Sequence, residues 1–223
     1  AEISRLSSLS CHSLHHSEPN DQLSKQMDGN HACLQCHQKF ETQISEHTHH
    51  AADSAGSKCY NCHMPHTSYA LLKAIRSHRV EVPSAAVSAA KDKPNGCNQC
   101  HLDKSFQWTA DYLKEWYGVE MPRLSQSDQT VSAVLKQLLT GDAGQRALAA
   151  WHMGWAPALE VSGSGWQAPH LARLLEDPYD AVRYIAKQSL GRLPGFESFS
   201  YDFLCDPAER EEARKRVIQV WSE

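Results

Sequence analysis

Three cysteine pairs in this chain are each followed at once by histidine: Cys33-Leu-Gln-Cys36-His37, Cys59-Tyr-Asn-Cys62-His63 and Cys97-Asn-Gln-Cys100-His101. Two thiols three residues apart with an adjacent imidazole are what c-type haem attachment requires. The thiols add to the haem vinyl groups and the imidazole ligates the iron. Structural zinc is the rival reading for paired Cys-x-x-Cys, but it takes two pairs per tetrahedral ion, and three pairs do not divide into such sites. Zinc also gives no reason for a histidine after the second cysteine of every pair. The spacing therefore predicts three covalent haem c groups.

A fourth is expected at the amino end. Ser8-Leu-Ser-Cys11-His12 has the attachment pattern with serine in place of the first cysteine. From His12 to His37 is 25 residues, against 26 from His37 to His63. A single thioether at Cys11, with His12 as the proximal ligand, would hold haem there. The alternative is a free Cys11 thiol, or a pairing with Cys205, the other cysteine outside the motifs.

Each iron also needs a ligand on its second face. Histidine on both faces favours outer-sphere electron exchange, whereas an open face permits substrate chemistry. Besides the motif histidines His37, His63 and His101, the chain up to residue 101 carries His12, His15, His16, His31, His47, His49, His50, His66 and His78, but only Met27 and Met64. Bis-histidine ligation is expected throughout. His78 stands after the apolar stretch Tyr69–Arg76, which reads as a helix. His49 and His50 close the cluster Glu46-His47-Thr48-His49-His50 ahead of the second motif. His66 and His15 share a Cys-His-x-x-His spacing. Each has a rival role as a solvated group or a hydrogen-bond donor to a propionate, and that role is favoured for His16, His31 and His47.

The elements that position these residues are unusual at the amino end. Residues 31–66 contain only Leu34, Phe40 and Ile44 from the Leu, Ile, Val and Phe set, too little apolar surface to offset chain entropy. Haem is expected to supply the missing core, with little regular secondary structure around it. Composition changes after His101. Ser105–Gly118 has helical apolar spacing with a glycine stop, and residues 121–123 form a linker. Residues 127–193 read as two helical hairpins, with Gly191 capping the last helix. The hairpins echo each other at an offset of 37 residues: Arg146 with Arg183, Ala149 with Ala186, Met153 with Leu190, Gly154 with Gly191. A further helix with proline in its first turn begins after Asp206. His152 and His170, in this half, read as surface or packing residues. The expected architecture is mainly α: a haem-packed cytochrome domain over 1–120 and a helical repeat domain over 121–223.

A net charge of −4, made more negative by haem propionates, argues against nucleic acid as a partner. No stretch approaches the ~20 apolar residues of a membrane span. Thioether attachment is chemistry of the outer side of a bacterial-type membrane, so a periplasmic or extracellular location is expected. The opening Ala1-Glu2-Ile3 shows no signal-peptide pattern, the expectation for a mature or trimmed form.

The run Cys-Tyr-Asn-Cys-His-Met-Pro-His-Thr-Ser-Tyr, then Arg-Ser-His78-Arg with Pro83, then Pro94-Asn-Gly-Cys-Asn-Gln-Cys-His-Leu-Asp-Lys-Ser with Trp108 and Trp116-Tyr-Gly, resembles bacterial multihaem cytochromes that fuse a haem domain to HEAT or tetratricopeptide repeats. The 37-residue echo with Asp-x-x-Val-Arg is similar to HEAT repeats. The resemblance is specific over 31–118, looser over 127–193, and weak before residue 30. It implies His49 or His50, and His78, as distal ligands. The chain departs from the family at Ser8 and in lacking further upstream motifs. Electron transfer through closely spaced bis-histidine haems follows as the expected function, with redox proteins, a second copy or filament neighbours as partners. A multihaem reductase of the nitrite or hydroxylamine type, with one open iron, is the alternative.

Overall fold

A computed structural model describes residues 7–15, 22–70 and 73–223; the Ala1-Glu2-Ile3 opening and His16 lie outside the described residues. Among these residues the chain is mainly α, with helices throughout and a two-stranded sheet. No helix among them is long and apolar enough to cross a membrane. The chain divides into two compact units, Ala1–Met64 and Pro65–Glu223.

The first unit has short helices only: α1 (His31–Leu34), α2 (Ile44–Thr48) and α3 (Cys59–His63), with 3-10 turns at Ser8–Ser10, Gln38–Phe40 and Ala55–Ser57. A sequence with so few apolar residues cannot bury the stripe that a longer helix needs. Among the described residues of this unit Gly29, Ser57 and Asn61 are buried, and no hydrophobic side chain is. Polar ties hold it instead. Asn30 Nδ2 donates to the Ser57 carbonyl at 2.7 Å, and its Oδ1 accepts from the Cys59 N–H at 2.9 Å. Asn61 Nδ2 donates to the Ala55 carbonyl at 2.7 Å.

The second unit opens with a hairpin, β1 (His66–Ala70) paired antiparallel with β2 (Lys73–Arg76). This corrects the helix expected over Tyr69–Arg76. A short apolar run does not discriminate helix from strand. Here Thr67, Tyr69 and Ile75 suit a strand, and Tyr69 lies against the helical core instead of completing a helical stripe.

Helices follow in sequence: α4 (Ala85–Lys91), α5 (Gly96–Cys100), α6 (Phe106–Tyr117), α7 (Gln126–Thr130), α8 (Ala133–Thr140), α9 (Ala143–His152), α10 (Ala156–Ser162), α11 (Ala168–Leu174), α12 (Asp180–Leu190) and α13 (Pro207–Ser222). The boundaries of α6 are those its residues predict. Ser105 accepts from the Trp108 N–H, and Gly118, at φ +67°, closes the end with its N–H on the Lys114 carbonyl at 2.9 Å. The expected start of α13 is also found, with Asp206 accepting from Ala208 and Glu209 N–H groups and Pro207 in the first turn.

Helix α9 packs on α8 and α12, and α12 on α11. The starts of α9 and α12, at Ala143 and Asp180, carry the 37-residue offset. Ala149, Met153, Ala186 and Leu190 are all buried at the matched positions. The matched glycines differ. A Cβ on Gly154 would stand 2.7 Å from Ser189 Cα, whereas one on Gly191 would meet nothing closer than 3.7 Å. Gly191 ends α12 in right-handed conformation, φ −61°, so it is not the left-handed cap that a glycine stop suggests. Gly154→Ala is therefore expected to cost about 1–3 kcal/mol in urea unfolding through overpacking of α9 against α12. Gly191→Ala is expected to stay within about 0.5 kcal/mol of the parent.

Candidate functional site

Each complete Cys-x-x-Cys-His motif occupies one helical turn. In the first, the Cys36 and His37 N–H groups both reach the Cys33 carbonyl, at 3.1 and 2.9 Å. In the second, α3 takes in the whole motif. In the third, α5 ends at Cys100 and the His101 N–H reaches the Cys97 carbonyl at 2.9 Å. Residues i, i+3 and i+4 share a face of such a turn, so two thiols and an imidazole project to the same side.

The serine-bearing sequence makes the same turn. Cys11 and His12 N–H groups reach the Ser8 carbonyl at 3.3 and 2.9 Å. His12 Nδ1 lies 3.2 Å from the Gln22 carbonyl. A carbonyl only accepts, so Nδ1 carries the proton and the lone pair is on Nε2, the tautomer of a metal-ligating imidazole. His15, three residues on, is exposed.

The first unit brings the first two motifs together. The Cys33 thiol neighbours Cys59, and this hydrogen bond, ahead of burial, pushes the Cys33 thiol up; its counterpart draws Cys59 down to about 7. The shift raises the thiolate fraction of Cys59 and lowers that of Cys33. Burial raises the thiol of Cys62, while Cys36 is exposed. Between the two motif histidines lies a file of rings: His37 to Phe40 at 6.4 Å, Phe40 to His47 at 4.4 Å, and His47 to His63 at 6.1 Å with planes 3° apart. His49 is exposed and ends α2 at φ +56°. His50 is half-buried and donates from Nδ1 to the Thr48 carbonyl at 2.5 Å, which again leaves the lone pair on Nε2. Its ring lies where a side chain on Gly56 would stand. His31 is exposed.

In the second unit the third motif is anchored on every side. Asn95 caps α5 by accepting from the Cys97 N–H at 3.0 Å. Asn98, buried, donates to the Lys104 carbonyl and accepts from Thr109 Oγ1 at 2.9 Å. Gln99 clamps the backbone of His66, accepting from its N–H at 3.0 Å and donating to its carbonyl. The carbonyls left over at the end of α5 are taken up by Ser162, which donates to Cys100 at 2.7 Å, and by Ser132, which donates to Leu102 at 2.5 Å. Trp108 of α6 packs its ring 4.6 Å from that of His101.

His66 itself is buried among Trp151, Trp155 and His152. His152 Nδ1 donates to the Leu148 carbonyl at 2.8 Å, so its Nε2 accepts from His66 Nδ1 at 3.3 Å. Burial drives both imidazoles down, His66 to about 2 and His152 to about 3, with Arg76 adding to each. His152 is the packing residue its position suggested, and His170 lies half-buried 5.7 Å from the Trp166 ring, its pKa lowered by burial. His78 is exposed, two residues beyond β2.

Among the described residues no group of three or more His, Cys, Asp or Glu side chains converges on a bare metal ion. A c-type haem asks for a different set, two thiols beside a nitrogen ligand on one face, and the helical turns fit it. The supporting residues that sequence reasoning passed over are Asn30, Asn61, Asn98, Gln99, Ser132 and Ser162. Asn95, two residues before the third motif, caps α5 where a cap is legible; the side chains of Asn30, Asn61 and Asn98 act through partners that no spacing encodes. Compared with known proteins, the chain matches no family model, no curated protein and no solved structure.

Proposed function

We propose that the chain is a multihaem c-type electron carrier of the periplasm or cell exterior. Haem is attached at Cys33/Cys36/His37, Cys59/Cys62/His63 and Cys97/Cys100/His101, with a fourth held through Cys11 and His12. The observation that carries this reading is the recurrence of one helical turn, thiols and imidazole on a shared face, at every motif, and of the same turn at Ser8–His12. Haem c supplies reversible one-electron exchange at iron.

The chain's own residues hold and orient. The turns present thiols and imidazoles together, and the Cys33–Cys59 neighbourhood sets two attachment points side by side, as a relay needs. Asn98, Gln99, Ser132 and Ser162 fix the third site to the helical core, which limits the reorganisation that accompanies a change of charge. The surplus of histidine supports ligands on both faces. The helix pairs α8–α9 and α11–α12 are read as HEAT-like repeats that dock a redox partner or a neighbouring copy.

Carrier and reductase differ in one measurable property. The dithionite-reduced protein is expected to keep its absorbance spectrum under carbon monoxide, because no iron offers a free face. A shift amounting to one haem per chain would favour the reductase reading instead.

A further inference from the structure

We propose that Trp108 is a positioning residue of the third site, raising the reduction potential of the haem attached at Cys97, Cys100 and His101. Its ring restrains the plane of the His101 imidazole and keeps water from one side of it. The inference rests on the haem reading and goes beyond it by naming a residue outside the motif that tunes one haem. The Trp108 ring stands 4.6 Å from that of His101, tilted by 42°, close enough to obstruct rotation of the imidazole about its Cβ–Cγ bond. Tyr112 backs Trp108 at 4.7 Å, and Trp116 backs Tyr112 at 4.7 Å. Three rings at i, i+4 and i+8 thus buttress one another along one side of α6.

That side is not the one α6 gives to its core. Phe106, Thr109, Ala110 and Leu113 are the buried residues of the helix, whereas Trp108, Tyr112 and Trp116 are half-buried. The alignment of the ladder with the motif is itself fixed. Asn98, inside the motif and buried, donates to the Lys104 and Ser105 carbonyls at 3.0 and 3.4 Å and accepts from Thr109 Oγ1 at 2.9 Å. Ser105 in turn accepts from the Trp108 N–H at 3.3 Å. The motif turn and the first turn of α6 are therefore locked together, and the Trp108 ring cannot leave His101 without breaking buried hydrogen bonds. Groups outside the ligand set orient a metal-bound imidazole, and the apolar shell around it controls solvent access and with it the potential. Reduction removes one positive charge at iron, so an apolar neighbour favours the reduced form.

The test uses the full chain loaded with haem by a host that attaches it. Potentials are read by spectroelectrochemical titration. Imidazole orientation is read by electron paramagnetic resonance of the ferric protein, in which the angle between axial ligand planes sets the spread of the low-spin signal. Trp108→Ala is expected to keep the covalent haem count, lower the potential of one haem per chain and shift one low-spin signal. Trp108→Phe, which keeps a flat ring, should return both to the parent values. Gly154→Ala, which strains the helical unit with the ring in place, should move neither. If the alanine chain fails to fold, Trp108→Leu, with apolar volume but no flat ring, should still shift the signal. A fully loaded Trp108→Ala chain with potentials and signals unmoved would overturn the role of Trp108 while the haem reading stands. So would an unmoved signal in Trp108→Leu, or a change in Gly154→Ala as large as that in Trp108→Ala. A parent chain with no covalent haem would end both.

Discussion

Replacing Cys33, Cys36, Cys59 and Cys62 together by alanine is expected to unfold residues 22–64 while 73–223 stay folded. The first unit buries no hydrophobic side chain among its described residues. Ordering its backbone costs on the order of 1–2 kcal/mol per residue. The hydrogen bonds of Asn30, Asn61 and Thr48 return only about 1 kcal/mol each. In the proposed haem-bearing protein, the apolar disc that the thiols tether balances the ledger. The second unit has its own core, built on Leu148, Leu171, Ile185 and Leu190, each at most 2 % exposed. Amide hydrogen exchange should therefore lose protection throughout the first unit and keep it in α9, α11 and α12. Retained protection in α2 and α3 of the quadruple variant would show that the unit folds on its own side chains.

The second large effect is expected at Arg146. Its guanidinium grips the Asp177 carboxylate with two bonds, Nε at 2.6 Å and Nη2 at 3.0 Å, and donates to the Gly141 carbonyl at 2.8 Å. Asp177 has its side chain 4 % exposed. The same residue organises the entry to α12: its carboxylate accepts from the Tyr179 N–H and its carbonyl from Arg183 Nη1. Arg146→Met leaves a buried carboxylate without its cation, and the expected cost is about 3–5 kcal/mol, a large share of the stability of a typical domain. Pairing Arg146→Met with Asp177→Leu removes the stranded charge and should recover part of that loss. Denaturant unfolding followed by circular dichroism reads both. A loss below about 1 kcal/mol in the single variant would mean that solvent reaches the pair and screens it.

Local signals and long-range packing divide what the sequence reveals. Helix ends with a capping side chain were legible: Ser105 and Gly118 around α6, Asp206 and Pro207 at the start of α13. So was the offset between α9 and α12, because matched small and apolar residues meet across one contact. The hairpin at 66–76 was not, since its strands are selected by the packing of Tyr69 on the helical core and by pairing with each other. The same cause moves residues 65–101 into the helical unit. Composition there follows the haem motifs, but Gln99 clamps the hairpin and Ser132 and Ser162 tie down the end of α5, contacts made across 33, 30 and 62 residues of chain. The Cys-x-x-Cys-His motifs needed no fold to be read, because each lies within one turn. The surroundings of the other histidines did need it. His47, read as one solvated member of a cluster, packs on Phe40 and stacks with His63, and His66, grouped with the ligands by spacing, is buried against His152.

The central claim is covalent haem, and the most direct measurement is the number of haem groups that remain with the polypeptide after denaturation, from alkaline pyridine spectra and protein concentration on the same sample. The account predicts four per chain, falling to three when Cys11 is replaced by alanine. A denatured full-length chain made in a host competent for haem attachment that carries none would contradict it.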